Sequence, residues 1–205
     1  MRIIIHQLIH FLRILGLRVK NQLVSTLFKI RLWLNNVKVG SGVKAVNGIP
    51  VLEIHSKCLG FEIGNNVLFR SYQDVCWNTK CYIQVREGAN FIIGDNTGIS
   101  GSMISCHKKI VIGSNVMIGG GCRIFDTNFH PIESYKRQNP LTVNEGVTSP
   151  ILIDDDVFIG TNCIIGKGVH IGKASIVAAG SVVVKSIPAN EIWGGNPAKF
   201  IRKND

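Results

Sequence analysis

Aliphatic β-branched residues stand at Ile153, Ile159, Ile165, Ile171, Val177 and Val183, each six positions after the last. An α-helix repeats its apolar stripe at three and four, and an ordinary strand alternates every two residues, so neither sustains a beat of six. Gly160, Gly166 and Gly172 directly follow three of these positions and Ala178 a fourth, which puts small residues at corners where a Cβ would clash. One short flat strand plus a corner makes such a unit. Stacked units bury their aliphatic faces only against their neighbours, which predicts a parallel β-helix solenoid.

The beat also runs through Ile112, Ile118 and Ile124, and more weakly through Ile63, Phe69, Val75, Cys81, Ile93 and Ile99 with Glu87 skipped. Its phase slips by one residue between Ile99 and Ile112 and is lost between Ile124 and Ile153. Residues 1–36 keep another rhythm. Ile4, Leu8, Leu12, Leu15, Val19, Leu23, Leu27 and Ile30 recur at three or four, predicting one or two amphipathic helices with a wide apolar face. Polar residues interrupt this segment too often for a membrane span, and no small-x-small cleavage site of a signal peptide follows it. The expected organisation is a helical segment over 1–36 and a repeat domain over 37–202, with one protruding loop at about 131–150.

The 205 residues suffice for one solenoid with appendages. The formal charge of +10 is unevenly placed: no Asp or Glu precedes Glu53, while Arg2, Arg13, Arg18, Lys20, Lys29, Arg31, Lys38 and Lys44 do. The repeat body is therefore close to neutral, which argues against nucleic acid as a partner. The basic helical segment suits two uses, covering the solenoid or packing between subunits, and resting on an anionic membrane surface. The six cysteines form no C-x-x-C pair, so zinc ribbons and dithiol redox motifs are not expected; small buried thiols in a reducing cytosol account for them.

The beat after Ile124 falls on His130, in FDTNFHP, and a stretch without repeat character follows, holding Pro131, Pro140 and Pro150 and the run Tyr135, Lys136, Arg137. A loop of this length in a compact domain commonly covers a site. Histidine at its base can accept a proton near neutral pH if its other nitrogen is held. Asp126, Glu133, Glu145 or a backbone carbonyl could do the holding, and a solvent-facing loop histidine would show the same spacing.

The beat, FDTNFHP, the loop, and IDDDVFIGTNCIIGKGVHIGKASIVAAGSVVVKSIPANEIWGGNPAKFIRK resemble the hexapeptide-repeat acyltransferases of the left-handed parallel β-helix class, nearest to the maltose, galactoside and polysaccharide O-acetyltransferases. The resemblance spans about residues 60–202. It implies coils of 18 residues, a homotrimer with intersubunit active sites, acetyl-CoA as acyl donor, no metal, and a sugar or glycan acceptor in the cytoplasm or at the inner face of the membrane. It also implies that His130 is the general base.

By the same resemblance Phe158, Gly160, Thr161, Ala179 and Gly180 line the pantetheine and thioester channel, while Lys185, Lys199 and Arg202 lie near the CoA phosphates. Ordinary surface solubility explains these basic residues equally well. The acceptor side is expected from Asp126, Asn128, Ser102 and His107, with Asn128 and Phe129 replacing the acid and histidine of the more usual DTDHHP. An amino-sugar-nucleotide N-acetyltransferase is the near alternative and a noncatalytic scaffold the remote one. The β-helix carbonic anhydrases need an H-x-x-x-x-H pair that the body of this chain lacks, and serine acetyltransferases a larger helical domain.

Overall fold

The computed structural model describes residues 2–73 and 78–204; Val75 of the weaker beat, and Cys76, lie outside the described residues. Three parallel sheets form the body. Sheet one stacks Lys38–Val39, Gly60–Ile63, Asn90–Ile93, Lys109–Ile112, Ile151–Ile153 and His170–Ile171. Sheet two runs from Lys44–Val46 to Ile176–Val177 and then to Glu191–Gly195, and sheet three from Val51–Ile54 to Val182–Val183. The chain visits the sheets in the same cyclic order on each turn, so the solenoid is a three-sided prism. Beat residues from Ile153 to Val183 are all buried inside it, with Ile112, Ile118, Ile124 and the upstream set Ile63, Phe69, Cys81, Ile93 and Ile99.

Register explains the phase. Ile153 pairs with Ile171, Ile159 with Val177 and Ile165 with Val183, so three beats make one coil. Ile93 pairs with Ile112 and Ile99 with Ile118, one residue more, and the turn at His107–Lys109 between sheets three and one carries the extra length. Ile118 pairs with Ile159 and Ile124 with Ile165; here the excess leaves the prism as an arm between Phe125 and Ile151. Thr127 bridges Thr148 in antiparallel sense at its base, and Ser134–Gln138 forms a short helix within it. A second excursion, which the beat did not announce, is the antiparallel pair Tyr72–Gln73 and Asn78–Thr79.

At the corners the glycines answer to the neighbouring coil. A Cβ on Gly113 would stand 2.7 Å from the Asp155 amide nitrogen, and one on Gly160 would stand 2.6 Å from that of Ala179. Two residues after Gly64, Gly94 and Gly113 the left-handed conformation falls to asparagines, with φ of 55° at Asn66, 55° at Asn96 and 59° at Asn115, a region asparagine tolerates. Their side chains form a ladder: Asn66 Nδ2 donates to Asn96 Oδ1 at 3.1 Å, Asn96 Nδ2 to Asn115 Oδ1 at 3.3 Å, and Asn115 Nδ2 to Asp156 Oδ1 at 3.1 Å.

The N-terminal segment is one helix, α1 (Arg2–Leu34). It ends at Asn36, whose φ of 55° is the usual left-handed helix stop. Its contacts with the solenoid begin at Asn21, whose Oδ1 accepts the Asn47 amide at 2.9 Å. Phe28 and Leu32 are fully buried, Phe28 stands edge-on to Phe69 at 5.2 Å, and Ser25 Oγ donates to the Ala45 carbonyl at 2.7 Å. The apolar stripe read from the sequence is not the face that packs on the solenoid: Leu12, Leu15, Val19, Leu23, Leu27 and Ile30 are exposed. Among the described residues no helix is long and apolar enough to cross a membrane.

Candidate active site

The arm leaves the edge of the prism between sheets three and one, and His130 stands on its outgoing limb. Phe129 takes a left-handed φ of 61°, held by its amide donating to Thr127 Oγ1 at 2.9 Å. This bend brings Phe129 against Phe125 at 5.4 Å and edge-on to His107 at 5.5 Å, leaving the His130 side chain exposed. The returning limb packs on it. A Cβ on Gly146 would fall 2.6 Å from the Phe129 carbonyl carbon and 2.8 Å from the His130 nitrogen, so only glycine lets the limbs close this far. His130 Nδ1 then meets the Val143 carbonyl at 2.6 Å. A carbonyl only accepts, so Nδ1 carries the proton and Nε2 is a free acceptor.

Among the four alternatives for holding His130, the backbone carbonyl is the one realised. Asp126, expected on the acceptor side, is fully buried and faces the preceding coil. Its Oδ1 receives the His107 amide at 2.7 Å, and its Oδ2 those of Lys108 and Lys109 at 2.8 and 2.7 Å. It therefore pins the lengthened turn that positions His107 and leaves no free face for an acceptor. Burial, and then the Asp126 charge, push the neighbouring Cys106 thiol up to about 12, so it stays neutral.

Ser102 is likewise buried and occupied: its hydroxyl contacts the Ser100 and Gly119 carbonyls at 2.7 and 2.8 Å and accepts the Cys122 amide at 3.0 Å. Asn128 is exposed beside His130, its carbonyl receiving the His130 amide at 2.7 Å. His107 is half-buried, and that burial lowers its pKa from the ordinary value. A polar file that sequence reasoning missed leads to it along sheet three. Gln84 Nε2 donates to Glu53 Oε2 at 2.9 Å, Ser105 Oγ to Gln84 Oε1 at 2.8 Å, and His107 Nε2 lies 3.2 Å from Ser105 Oγ. The Ser105 proton is committed to Gln84, so Nε2 of His107 is the donor in that last bond. Strand alternation brings Glu53, Gln84 and Ser105 into register, a signal hidden until the coil length of each turn is known.

Most of the residues expected on the CoA side lie away from the arm's edge. Thr161, Ala179 and Gly180 are exposed together at the corner between sheets two and three, where the Gly180 amide donates to the Thr161 carbonyl at 2.8 Å. Gly180 has a φ of +74° and open space where a Cβ would point. Gly160 is buried under Ala179, so its missing Cβ serves coil stacking. Phe158 is partly exposed on sheet two. Lys199 and Arg202 are exposed on Ala198–Lys203, the antiparallel strand that closes sheet two. Lys185 is exposed beyond Val182–Val183, on the same edge as the arm. Within one chain, then, His130 and the Thr161–Ala179–Gly180 corner lie on different edges. Among the described residues no group of three or more His, Cys, Asp or Glu is placed to hold a metal ion.

The hexapeptide repeat of succinyl-transferase matches residues 150–185. A solved structure of the hexapeptide-repeat acetyltransferase VCA0836 from Vibrio cholerae, complexed with acetyl-CoA, superposes with a TM-score of 0.57 at 25% identity, over 94% of this chain and 90% of that one. The chain is similar to the hexapeptide-repeat acyltransferases, and its three parallel sheets are consistent with their left-handed β-helix fold. In sequence, the chain is 42% identical over 117 residues to YJL218W of Saccharomyces cerevisiae, provisionally named an acetyltransferase, covering 57% of each protein. A shorter stretch of 57 residues is 54% identical to the 2,3,4,5-tetrahydropyridine-2,6-dicarboxylate N-acetyltransferase of Clostridium perfringens, covering 28% of this chain and 24% of that enzyme. The chain thus spans less than two thirds of the length of the curated relatives it matches.

Proposed function

We propose that this protein transfers an acetyl group from acetyl-CoA to a hydroxyl or amine of a sugar-class acceptor, with His130 as general base. The observation that carries this reading is the 2.6 Å contact from His130 Nδ1 to the Val143 carbonyl, which places the neutral ring's proton on Nδ1 and leaves Nε2 as the acceptor nitrogen of an exposed side chain. Nε2 accepts the acceptor's proton as that oxygen or nitrogen attacks the thioester carbonyl, and returns it to the departing sulfur. Acetyl-CoA supplies the activated thioester. The open corner at Ala179 and Gly180 suits a thin extended chain lying against backbone, and Lys185, Lys199 and Arg202 offer cations for phosphates.

Because His130 and that corner lie on different edges of one prism, the reading includes a cyclic homotrimer in which one chain's arm faces its neighbour's corner. The likeness to an N-acetyltransferase supports an amine acceptor as the second reading, alongside the hydroxyl expected from the sugar O-acetyltransferases. Thiol release from acetyl-CoA, followed against panels of sugars, amino sugars and their nucleotides, separates the two by which panel turns over. His130→Ala should lower turnover by about 10²- to 10⁴-fold while leaving the melting temperature unchanged. An unaltered rate would point to a scaffold without chemistry.

A further inference from the structure

α1 carries two apolar faces, and the solenoid uses one. Val24, Ser25, Phe28 and Leu32 point to the prism. At 100° per residue, Leu12, Leu15, Val19, Leu23, Ile30 and Trp33 centre about 180° away from them, and all six are exposed, Val19 to 63%, Leu23 to 60% and Trp33 to 74%. Residues 11–20 are exposed on every side, so the helix runs on beyond its last contact with the body. A continuous outward apolar stripe of this length on a free chain needs a covering.

The charges flanking the stripe name the covering. Arg13, Lys20 and Arg31 lie about 100° to one side of its centre, Arg18 and Lys29 about as far to the other. The helix contains no acidic residue. Two copies joined through the stripe would set arginine and lysine beside arginine and lysine with no carboxylate between them. A surface that is apolar below and anionic above suits both features, and side chains of this length reach headgroups while their helix lies at the acyl boundary. The helix is not apolar enough to cross a membrane.

We propose that α1 lies flat on an anionic lipid surface through its outward stripe, holding the solenoid against the membrane with the body hung from Phe28 and Leu32. The expectation of a packing helix and that of a membrane helix then both apply, on opposite faces of one element. This inference stands apart from the catalytic reading, and the His130→Ala protein should bind vesicles as the parent does.

The test is sedimentation of the full-length protein with vesicles of phosphatidylcholine alone and of phosphatidylcholine with phosphatidylglycerol. Binding should require the anionic lipid and weaken with salt. Arg13→Gln with Lys20→Gln should lose about fivefold in partitioning per charge removed, and Val19→Asp with Leu23→Asp should lose at least about tenfold. Both pairs are exposed, so melting temperature should hold. Absent binding, equal binding to neutral vesicles, or binding unchanged in the stripe variant would each overturn the proposal. A stripe variant that falls to a smaller assembly in sedimentation velocity, with vesicle binding unaltered, would assign the stripe to a second copy of the chain.

Discussion

Asp126 shows how much of the structure at the base of the arm depends on a single buried carboxylate. Three amides of the His107–Lys109 turn converge on it, and that turn absorbs the extra residue of its coil. Asn at this position would keep one acceptor oxygen and aim an amide group at donors. Asp126→Asn should therefore cost about 3 kcal/mol of stability, read as a lower midpoint in denaturant, and should raise KM for the acceptor as His107 shifts. His130 stood out in the sequence as a candidate because it falls on the beat just before the beat fails and is followed by Pro131. Val143 did not, because any residue's carbonyl could have filled its place. Asp126 was misread since four residues separate it from His130, while its true partners lie a full coil back. Gly146 gave no signal either, its need for closeness to His130 arising only once the arm folds.

The six-residue beat predicted the strands well because every coil buries the same positions for the same reason. At its corners neighbouring backbones pass so close that no Cβ fits between them, so Gly160→Ala forces a Cβ onto the Ala179 amide. Backbone atoms of a stacked coil cannot step aside as a flexible side chain can. That substitution should lower stability by about 1–3 kcal/mol and displace Ala179, so that thermal denaturation and KM for acetyl-CoA move together. Gly180→Ala is the contrast: open space receives the Cβ, leaving only the strain of its positive φ, about 1 kcal/mol. The helix was legible as an element but not in its orientation. Leu12 to Ile30 announces an apolar face at helical spacing, yet Val24, Phe28 and Leu32 do so too at i, i+4 and i+8. Only contact with Ala45 and Phe69 decides which face the prism takes.

At the scale of the whole molecule, the prism's edges divide the labour. The edge between sheets three and one carries the arm with His130, and also Lys185; the edge between sheets two and three carries Thr161, Ala179 and Gly180. A rigid solenoid with coils in fixed register cannot bend one edge round to the other, so a complete site on the proposed reading needs a neighbour's corner opposite the arm. A cyclic trimer supplies that pairing three times over by the same contact. Two variants, each damaging one edge only, test this directly: His130→Ala removes the base, and Ala179→Trp fills the exposed corner with an indole. Each homo-assembly should be inactive, the first through turnover and the second through acetyl-CoA binding. Co-expressed in equal amounts and purified through two different tags, mixed assemblies contain some interfaces where an intact arm meets an intact corner. Every mixed cyclic trimer, of either composition, has one such interface in three, so about a third of the parent's thiol-release rate should return. A mixture that stays inactive although it contains both chains would mean that arm and corner serve the same chain, and the intersubunit site would have to be given up.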